Sequence, residues 1–553
     1  MFRNCFLITS LDLSNFNTSS VVYINDMFHK CRLLTSLNLS NFITEKVIDM
    51  QGMFDACYNL KYLDIHNFDT SLVNNMSYMF FNCESLESIN VANFNTANVL
   101  KMYAMFGNCY TLTTLDVTNF DTSLVTDIGF MFSGCRNLTN IDLSNLNTSS
   151  AINFAFIFYN SISLSSLNVT TFNTENAENL NALFLNCLSL TSIDLSNFNT
   201  SKVKFMSGIF GECPLLELLD LSNFDTSKVI EMDNMFRNCV NLKSVNISNF
   251  NTLNIENLEW MFYGCYKLES LDISSFRTPK LKKIGGMFVN CISLTTLDLS
   301  NFDTSHVNSS YSLFEDCSSI ISLNLSNFDF SEVTDIKNMF AGCSSLKYIN
   351  IKSFIINDSM KYTEFIDNSL INPIICIDDE QSLYNIISLY QCRDLNNTEF
   401  LGEYRDKILN NDNNIFINGC LLSKNDTNCY QICSFYYYYD ENKNKYICAE
   451  DLKCPEPYDK LIYGKNECIK SCTETEHYNF ELVLGKVCLM NCSENFYEPY
   501  DRSFSCLPKC SKDKPFLLFE SLECVSYCTI KQRQNKLCVT YYIHSKEDNY
   551  QIS

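Results

Sequence analysis

This 553-residue chain has 14 glycines, 8 prolines, 5 histidines and a single tryptophan, and its 63 acidic side chains outnumber the 40 basic ones. The histidines, His29, His66, His306, His477 and His544, share no repeating position and neighbour no recurrent serine, cysteine or carboxylate. No H-E-x-x-H pattern, nucleophile elbow or glycine-rich phosphate loop occurs, so neither an enzyme nor a cofactor is expected. The shortage of Lys and Arg argues against a nucleic-acid partner, because such affinity rests on neutralising phosphates. It also disfavours direct docking on anionic lipid. No apolar run reaches about 18 residues, the length that crosses a bilayer as a helix. Met1 and Phe2 open inside a motif, with no basic start and no apolar stretch behind them. The sequence is therefore expected to begin within a longer protein, with any membrane anchor in a segment outside it.

What the chain does have is cysteine, 29 residues of it, and one phrase written many times. LDLSNFNTSSVVYINDMFHKC, Leu11 to Cys31, returns as LDLSNFDTSKVIEMDNMFRNC, Leu219 to Cys239. Aligned on its cysteine, the phrase recurs at Cys5, Cys31, Cys57, Cys83, Cys109, Cys135, Ser161, Cys187, Cys213, Cys239, Cys265, Cys291, Cys317 and Cys343, always 26 residues apart. A fixed period of that size marks a solenoid, whose coils bury their apolar faces only against neighbouring coils.

With the cysteine as position 0, position +3 is Leu or Ile, +6 and +8 are Leu, Ile or Val, and +7 is Asp or Asn. Such alternation predicts a short strand with +6 and +8 inward and +7 outward. Position +11 is Phe except at Leu146, and +23 is Phe from Phe28 to Phe340, so both read as stacked core. Fourteen strands at about 4.8 Å spacing would make a rod of roughly 65 Å. Its open ends would need caps. The pattern weakens after Phe354, so residues 1–354 are read as solenoid, 355–428 as cap or transition, and 429–553 as a cysteine-rich stalk.

The unit MFxxCxxLxxLDLSNFDTSxVxxM resembles the 26-residue leucine-rich repeat of BspA-type surface proteins over Met1 to about Phe354. That resemblance implies a leucine-rich-repeat-like, right-handed parallel β-solenoid of about 14 coils, display on the cell surface, and adhesion to proteins or to other cells. Ser161, Leu146 and Phe330 depart from the pattern only locally.

The cysteines fall into two sets. Those of the ladder, including Cys31, Cys57, Cys83, Cys109, Cys135, Cys187, Cys213 and Cys239, read as small buried thiols. Bridging between rungs is the alternative, since coil spacing suits a disulfide; their odd number and parallel orientation speak against it. From residue 429 onward the spacing changes to C-x3-C: Cys429/Cys433, Cys468/Cys472, Cys488/Cys492, Cys506/Cys510 and Cys524/Cys528, with Cys448, Cys454 and Cys538 as singles. The intervening segments are too short and polar for a core, so disulfides are expected there. Zinc fits less well, because its knuckles favour other spacings and histidine is nearly absent. This stretch resembles furin-like repeats of growth-factor receptors, on spacing alone. Dense disulfides would place the chain outside the cell.

Two further features bear on function. N-T-S sequons stand at Asn17, Asn147 and Asn199, with N-x-T at Asn396 and Asn425. The carboxylates at +7, namely Asp12, Asp64, Asp116, Asp142, Asp194, Asp220, Asp272 and Asp298, form a strip mixed with asparagines. One reading is a solvated sheet face; the other is a ligand face, the surface most solenoids use. The chain is thus expected to be an adhesin or receptor-like protein that binds an extracellular protein or glycan. The rival expectation is a coat protein that self-associates and has no foreign ligand.

Overall fold

In the computed structural model the +23 phenylalanines form one column. From Phe2 to Phe340 successive rings lie 5.3–6.2 Å apart and within 17° of parallel. The structure describes residues 1–352 continuously, scattered positions from 354 to 366, and short stretches between 374 and 540. Two compact units are present: Met1–Leu346 with Asn350–Ser369, and Lys347–Ile349 with Leu370–Ser553.

The first unit is a parallel β-solenoid. Its continuous ladder runs through position +18, in thirteen parallel steps from Tyr23 to Lys361, each 26 residues long. The expected strand occupies +5 to +7, with the middle residue buried and its neighbours exposed, as in β1 (Ser36–Asn38), β2 (Tyr62–Asp64), β3 (Leu218–Asp220), β4 (Ser244–Asn246) and β5 (Ser322–Asn324). Regular strand pairing there is intermittent, joining β1 to β2 and β3 to β4 in register. At +5 to +7 the ladder is only three residues long, and side-chain bridges add to the backbone bonds between coils.

Each bridge uses one repeated residue. The +13 threonine is buried and clamps the next coil: Thr226 Oγ1 accepts from Asn251 N at 2.7 Å and donates to Asn251 O at 2.9 Å. At +10 the Asn249 amide donates to Ser222 O of the coil before it, at 2.9 Å. The ladder cysteine donates too: Cys109 Sγ reaches Phe80 O at 3.3 Å, and Cys239 Sγ reaches Phe210 O at 3.0 Å. Ser161 makes the same bond through its hydroxyl, 2.9 Å to Phe132 O. The slot therefore takes a small hydrogen-bond donor, which is why serine replaces cysteine there without disturbing the coil.

Among the described residues no helix is long and apolar enough to cross a membrane. The segment from +19 to +25 is a ribbon of turns in which amides alternate between two uses. Gly52 N and Phe54 N bond up to Ser77 O and Met79 O, both at 2.9 Å, while Met53 N and Asp55 N close turns onto Met50 O and Gly52 O. Positions +21 and +25 take the left-handed conformation in coil after coil, as at Gly52 (φ 58°) and Ala56 (φ 58°).

The second unit is a series of antiparallel hairpins. With β6 at Tyr348–Asn350, the first group comprises β7 (Ile374–Cys376), β8 (Asn414–Ile417), β9 (Cys420–Asn425) and β10 (Cys429–Ile432). β10 lies antiparallel between β7 and β9, which places Cys429 opposite Cys376. Next come β11 (Tyr437–Asp440) with β12 (Lys445–Cys448), β13 (Lys460–Ile462) with β14 (Glu467–Ile469), and β15 (Phe480–Leu482) with β16 (Val487–Leu489). Parallel pairings of β11 with β14 and of β13 with β16 link hairpin to hairpin. The second strand of each hairpin carries a cysteine, Cys448, Cys468 or Cys488. Cys454 is bonded to Cys468 across Cα atoms 5.5 Å apart, and Cys376 and Cys448 each take part in a disulfide of their own. Cys433, Cys472, Cys492, Cys510 and Cys528, with most of segment 355–428, lie outside the described residues.

A candidate ligand-binding face

The eight carboxylates at +7 lie in one exposed line along the strand face. Each also holds its own coil together. Asp220 Oδ1 accepts from Ser222 N at 3.0 Å, and Asp12, Asp64, Asp116, Asp142, Asp194, Asp272 and Asp298 accept in the same way from the residue two positions on. Asn38, Asn90, Asn168, Asn246 and Asn324 at +7 make the identical bond. Asp and Asn alternate freely at this position because the turn needs only an acceptor Oδ1. Those backbone and hydroxyl bonds hold the carboxyl groups below their ordinary value, so the strip stays charged in neutral solution.

The ladder thiols face inward. None of Cys31, Cys57, Cys83, Cys109, Cys135, Cys187, Cys213 or Cys239 forms a disulfide, and all eight are buried. Burial pushes the Cys135 and Cys213 thiols up to about 12 and Cys31 to about 11, which removes them as nucleophiles.

A second surface emerges on the turn ribbon, at +20, +21, +24 and +25. While the core positions barely change, position +21 runs Asp26, Gly52, Tyr78, Ala104, Phe130, Phe156, Ala182, Gly208, Asn234, Trp260. Tyr78, Phe130, Phe156 and Trp260 hold left-handed backbone, with φ of 58–59°, where Gly or Asn would be at ease. A bulky residue there costs about 1–2 kcal/mol. Strain of this kind gathers at functional surfaces.

These rings are half-buried and touch one another. Phe130 stacks on Phe156 at 4.4 Å, and Tyr159 meets Phe156 edge-on at 5.7 Å. Trp260 meets Tyr263 at 5.3 Å and Tyr311 at 5.5 Å. Scarce glycines make room for them: a Cβ on Gly286 would strike the Trp260 ring, and one on Gly285 the Tyr311 ring. Burial also pushes the nearby Glu259 carboxyl up, against the pull of Lys283.

Between these aromatic groups the ribbon dips into a groove of about 530 Å³. Its floor is Ala182 and Gly208, and Phe156 with Tyr159 forms one wall. On the other side Asp233, Asn234 and Arg237 are fixed by neighbours. Ser207 Oγ donates to Asp233 Oδ1 at 2.6 Å, Asn234 Nδ2 to Asp233 Oδ2 at 2.8 Å, and Arg237 Nε lies 3.5 Å from Glu212 Oε1. The Arg237 guanidinium also covers the Tyr263 ring at 5.2 Å. Reasoning from the repeated positions overlooked this groove. The signal was the reverse one: aromatic and glycine residues at offsets where the repeat is not repetitive.

In six overlapping segments, 1–115, 59–166, 102–217, 180–271, 206–322 and 232–354, the chain matches the family described as "Mycoplasma protein of unknown function, DUF285". The chain belongs to this family. The DUF285 matches end at residue 354, where the 26-residue pattern also weakens. No curated protein matches the chain in sequence. Among solved structures, similarity is found to a leucine-rich cell surface protein of Faecalibacterium prausnitzii, at 18% identity over 57% of this chain and 79% of that one, with a TM-score of 0.29. An internalin of Listeria monocytogenes is similar at 15% identity, covering 66% and 87%, with a TM-score of 0.19. The Listeria InlJ functional domain, described as including a cysteine ladder, is similar at 15% identity, covering 66% and 70%, also at 0.19. The solenoid assignment of this DUF285 chain rests on its own intercoil geometry, not on these superpositions.

Proposed function

We propose that this chain is a non-enzymatic binding protein of the cell exterior, an adhesin or receptor-like rod that holds protein or glycan ligands along the solenoid. The observation that carries the reading is the division of labour within each coil. Inward positions are nearly invariant, whereas the outward ones combine a charged strip with half-exposed aromatic residues held on strained backbone. That combination is a poor choice for solubility alone and suits contact with another molecule. The disulfide between Cys454 and Cys468 supports an oxidising location. The acidic strip would contribute charge steering along the strand face, with Asp12, Asp64, Asp116, Asp142, Asp194, Asp220, Asp272 and Asp298 as its contacts.

The test is attachment of chain-coated beads to cultured host cells. Removing four coils in register should leave a folded rod and reduce attachment in proportion. Asp194, Asp220, Asp272 and Asp298 changed together to Asn should keep every turn bond and lose the charge-dependent part. Attachment that survives the coil deletion unchanged would move the binding activity to the cysteine-rich unit. Filaments forming at rising protein concentration, with no attachment, would favour the coat reading instead.

A further inference from the structure

We propose that the groove over Ala182 and Gly208 is a saccharide site that takes one or two pyranose rings of a neutral glycan. This deepens the binding role proposed above by giving one compact site, on a face other than the acidic strip, a defined ligand class.

The backbone on the groove floor has nothing left to offer. Ala182 N bonds to Ser207 O at 2.8 Å, Gly208 N to Asp233 O at 2.9 Å and Asn186 N to Gly211 O at 2.8 Å, while Ser207 N bonds to Asn181 Oδ1 at 2.8 Å. An extended peptide binds by adding main-chain hydrogen bonds to an open edge, and this surface has none to give. Recognition here must run through side chains.

Charge narrows the ligand further. The chain carries a formal net charge of −23, and the groove presents Asp233 and Glu212 against one guanidinium, Arg237, which already faces Glu212. Phosphate, sulfate and nucleotide ligands are repelled by that balance. A metal ion fares little better, since no cluster of three or more His, Cys, Asp or Glu side chains occurs among the described residues. What remains is a neutral molecule with an apolar face for an aromatic wall and a rim of groups that both donate and accept.

A pyranose has that character. One face is a patch of C–H groups, and its hydroxyls can donate to Asp233 and accept from Arg237. The Phe156 and Tyr159 rings stand 87° apart, giving the apolar patch a corner to fit. Held by their neighbours, the polar side chains need little ordering when a ligand arrives. The groove volume of about 530 Å³ lies within the about 300–1,000 Å³ usual for small-ligand sites. From Phe156 to Asn234 there are three intercoil steps, roughly 14 Å at about 4.8 Å each, enough for two sugar units.

The scaffold supplies its own control. Phe130 and Phe156 show that +21 accepts phenylalanine in left-handed backbone, so Ala182→Phe fills the floor with a side chain already used one coil away. The experiment is calorimetric titration of the full chain with lactose, mannobiose, cellobiose and N,N′-diacetylchitobiose, with glucose 6-phosphate as the anionic comparison. Trp260, the only tryptophan, reports the same events by fluorescence from the neighbouring coil. At least one disaccharide should bind, glucose 6-phosphate should bind at least tenfold more weakly, and Ala182→Phe and Tyr159→Ala should each weaken binding at least tenfold. Far-UV circular dichroism of both variants should match wild type; should Ala182→Phe misfold, Tyr159→Ala decides alone. If none of the four disaccharides binds, or if binding ignores a folded variant, the saccharide site is refuted. Bead attachment sensitive to the Asp→Asn set would still stand in that case, keeping the two proposals separable.

Discussion

The ladder cysteine can be either an apolar plug or a donor, and the two roles predict opposite orders for one pair of variants. Cys239, Cys265 and Cys291 occupy consecutive coils, and their thiols donate to Phe210, Phe236 and Phe262 carbonyls at 3.0, 3.2 and 3.2 Å. Changing all three to alanine removes three buried sulfur atoms, at about 1 kcal/mol each by analogy with a lost methylene. It also removes three hydrogen bonds from a weak S–H donor, at about 0.5 kcal/mol each, for a total of about 4.5 kcal/mol. Changing all three to serine loses a similar apolar contribution but keeps the bond, in the geometry that Ser161 already shows at 2.9 Å. The serine variant should therefore lose only about 3 kcal/mol. Were the slot merely apolar, a buried hydroxyl without a partner would make serine the worse choice, by about 1–3 kcal/mol per site. Urea unfolding followed by circular dichroism ranks the two variants. Midpoints are the safer comparison, because long repeat arrays can unfold in parts. A serine midpoint at or below the alanine midpoint would refute the donor role.

Alkaline pH should attack the same ladder. Burial raises the Cys135 and Cys213 thiols from an ordinary 9.0 to about 12, so the unfolded chain loses those protons first as pH rises. Stability present below pH 9.0 is then lost up to about 12, at about 1.4 kcal/mol per pH unit for each thiol. Near-UV circular dichroism should show the rod melting in that window, and the triple serine variant melting less steeply with pH; identical slopes would contradict the linkage. Thr226→Val strips both bonds to Asn251 and should cost about 2–3 kcal/mol, while Thr226→Ser should cost less than about 1. Equal unfolding midpoints for that pair would remove the threonine clamp. Gly286→Ala places a Cβ against Trp260 on left-handed backbone at φ 65°. Its tryptophan emission should shift to the red as the ring is displaced into water, and an unchanged spectrum would mean that the ring does not rest on that glycine.

The fold was legible wherever a position repeats because the core demands it. Leu219, Leu221, Phe224 and Phe236 are each 0–6% exposed, and their types follow from stacking like on like. The turn ribbon was harder to see because its order is a backbone pattern. Only the asparagines at +25, such as Asn108, Asn186 and Asn238, hint at the left-handed residues it needs. At +7 the sequence displayed the carboxylates plainly but hid their turn bonds, since Asp and Asn look different in charge and alike as acceptors. The groove was least legible. Phe156, Ala182 and Asp233 lie in three different coils, at offsets +21, +21 and +20, and become neighbours only when the period of 26 is folded into one column.

Thiols and disulfides in one chain need a physical separation, and burial supplies it. Disulfide exchange requires a thiolate and an approach path. Cys83 to Cys317 have neither: they are buried, and desolvation holds the neutral form. Cys454 and Cys468, in contrast, are already joined, in a unit of short hairpins with three-residue strands, too small to hold a core of its own without such a bond. An oxidising surface would thus leave the ladder as thiols while it bonds the hairpins. The converse follows with equal force: a coil loosened enough to expose Cys213 would offer a thiol to the disulfides of its own chain. The in-register packing that keeps each Phe ring over the next is therefore also what keeps the two kinds of cysteine chemistry apart.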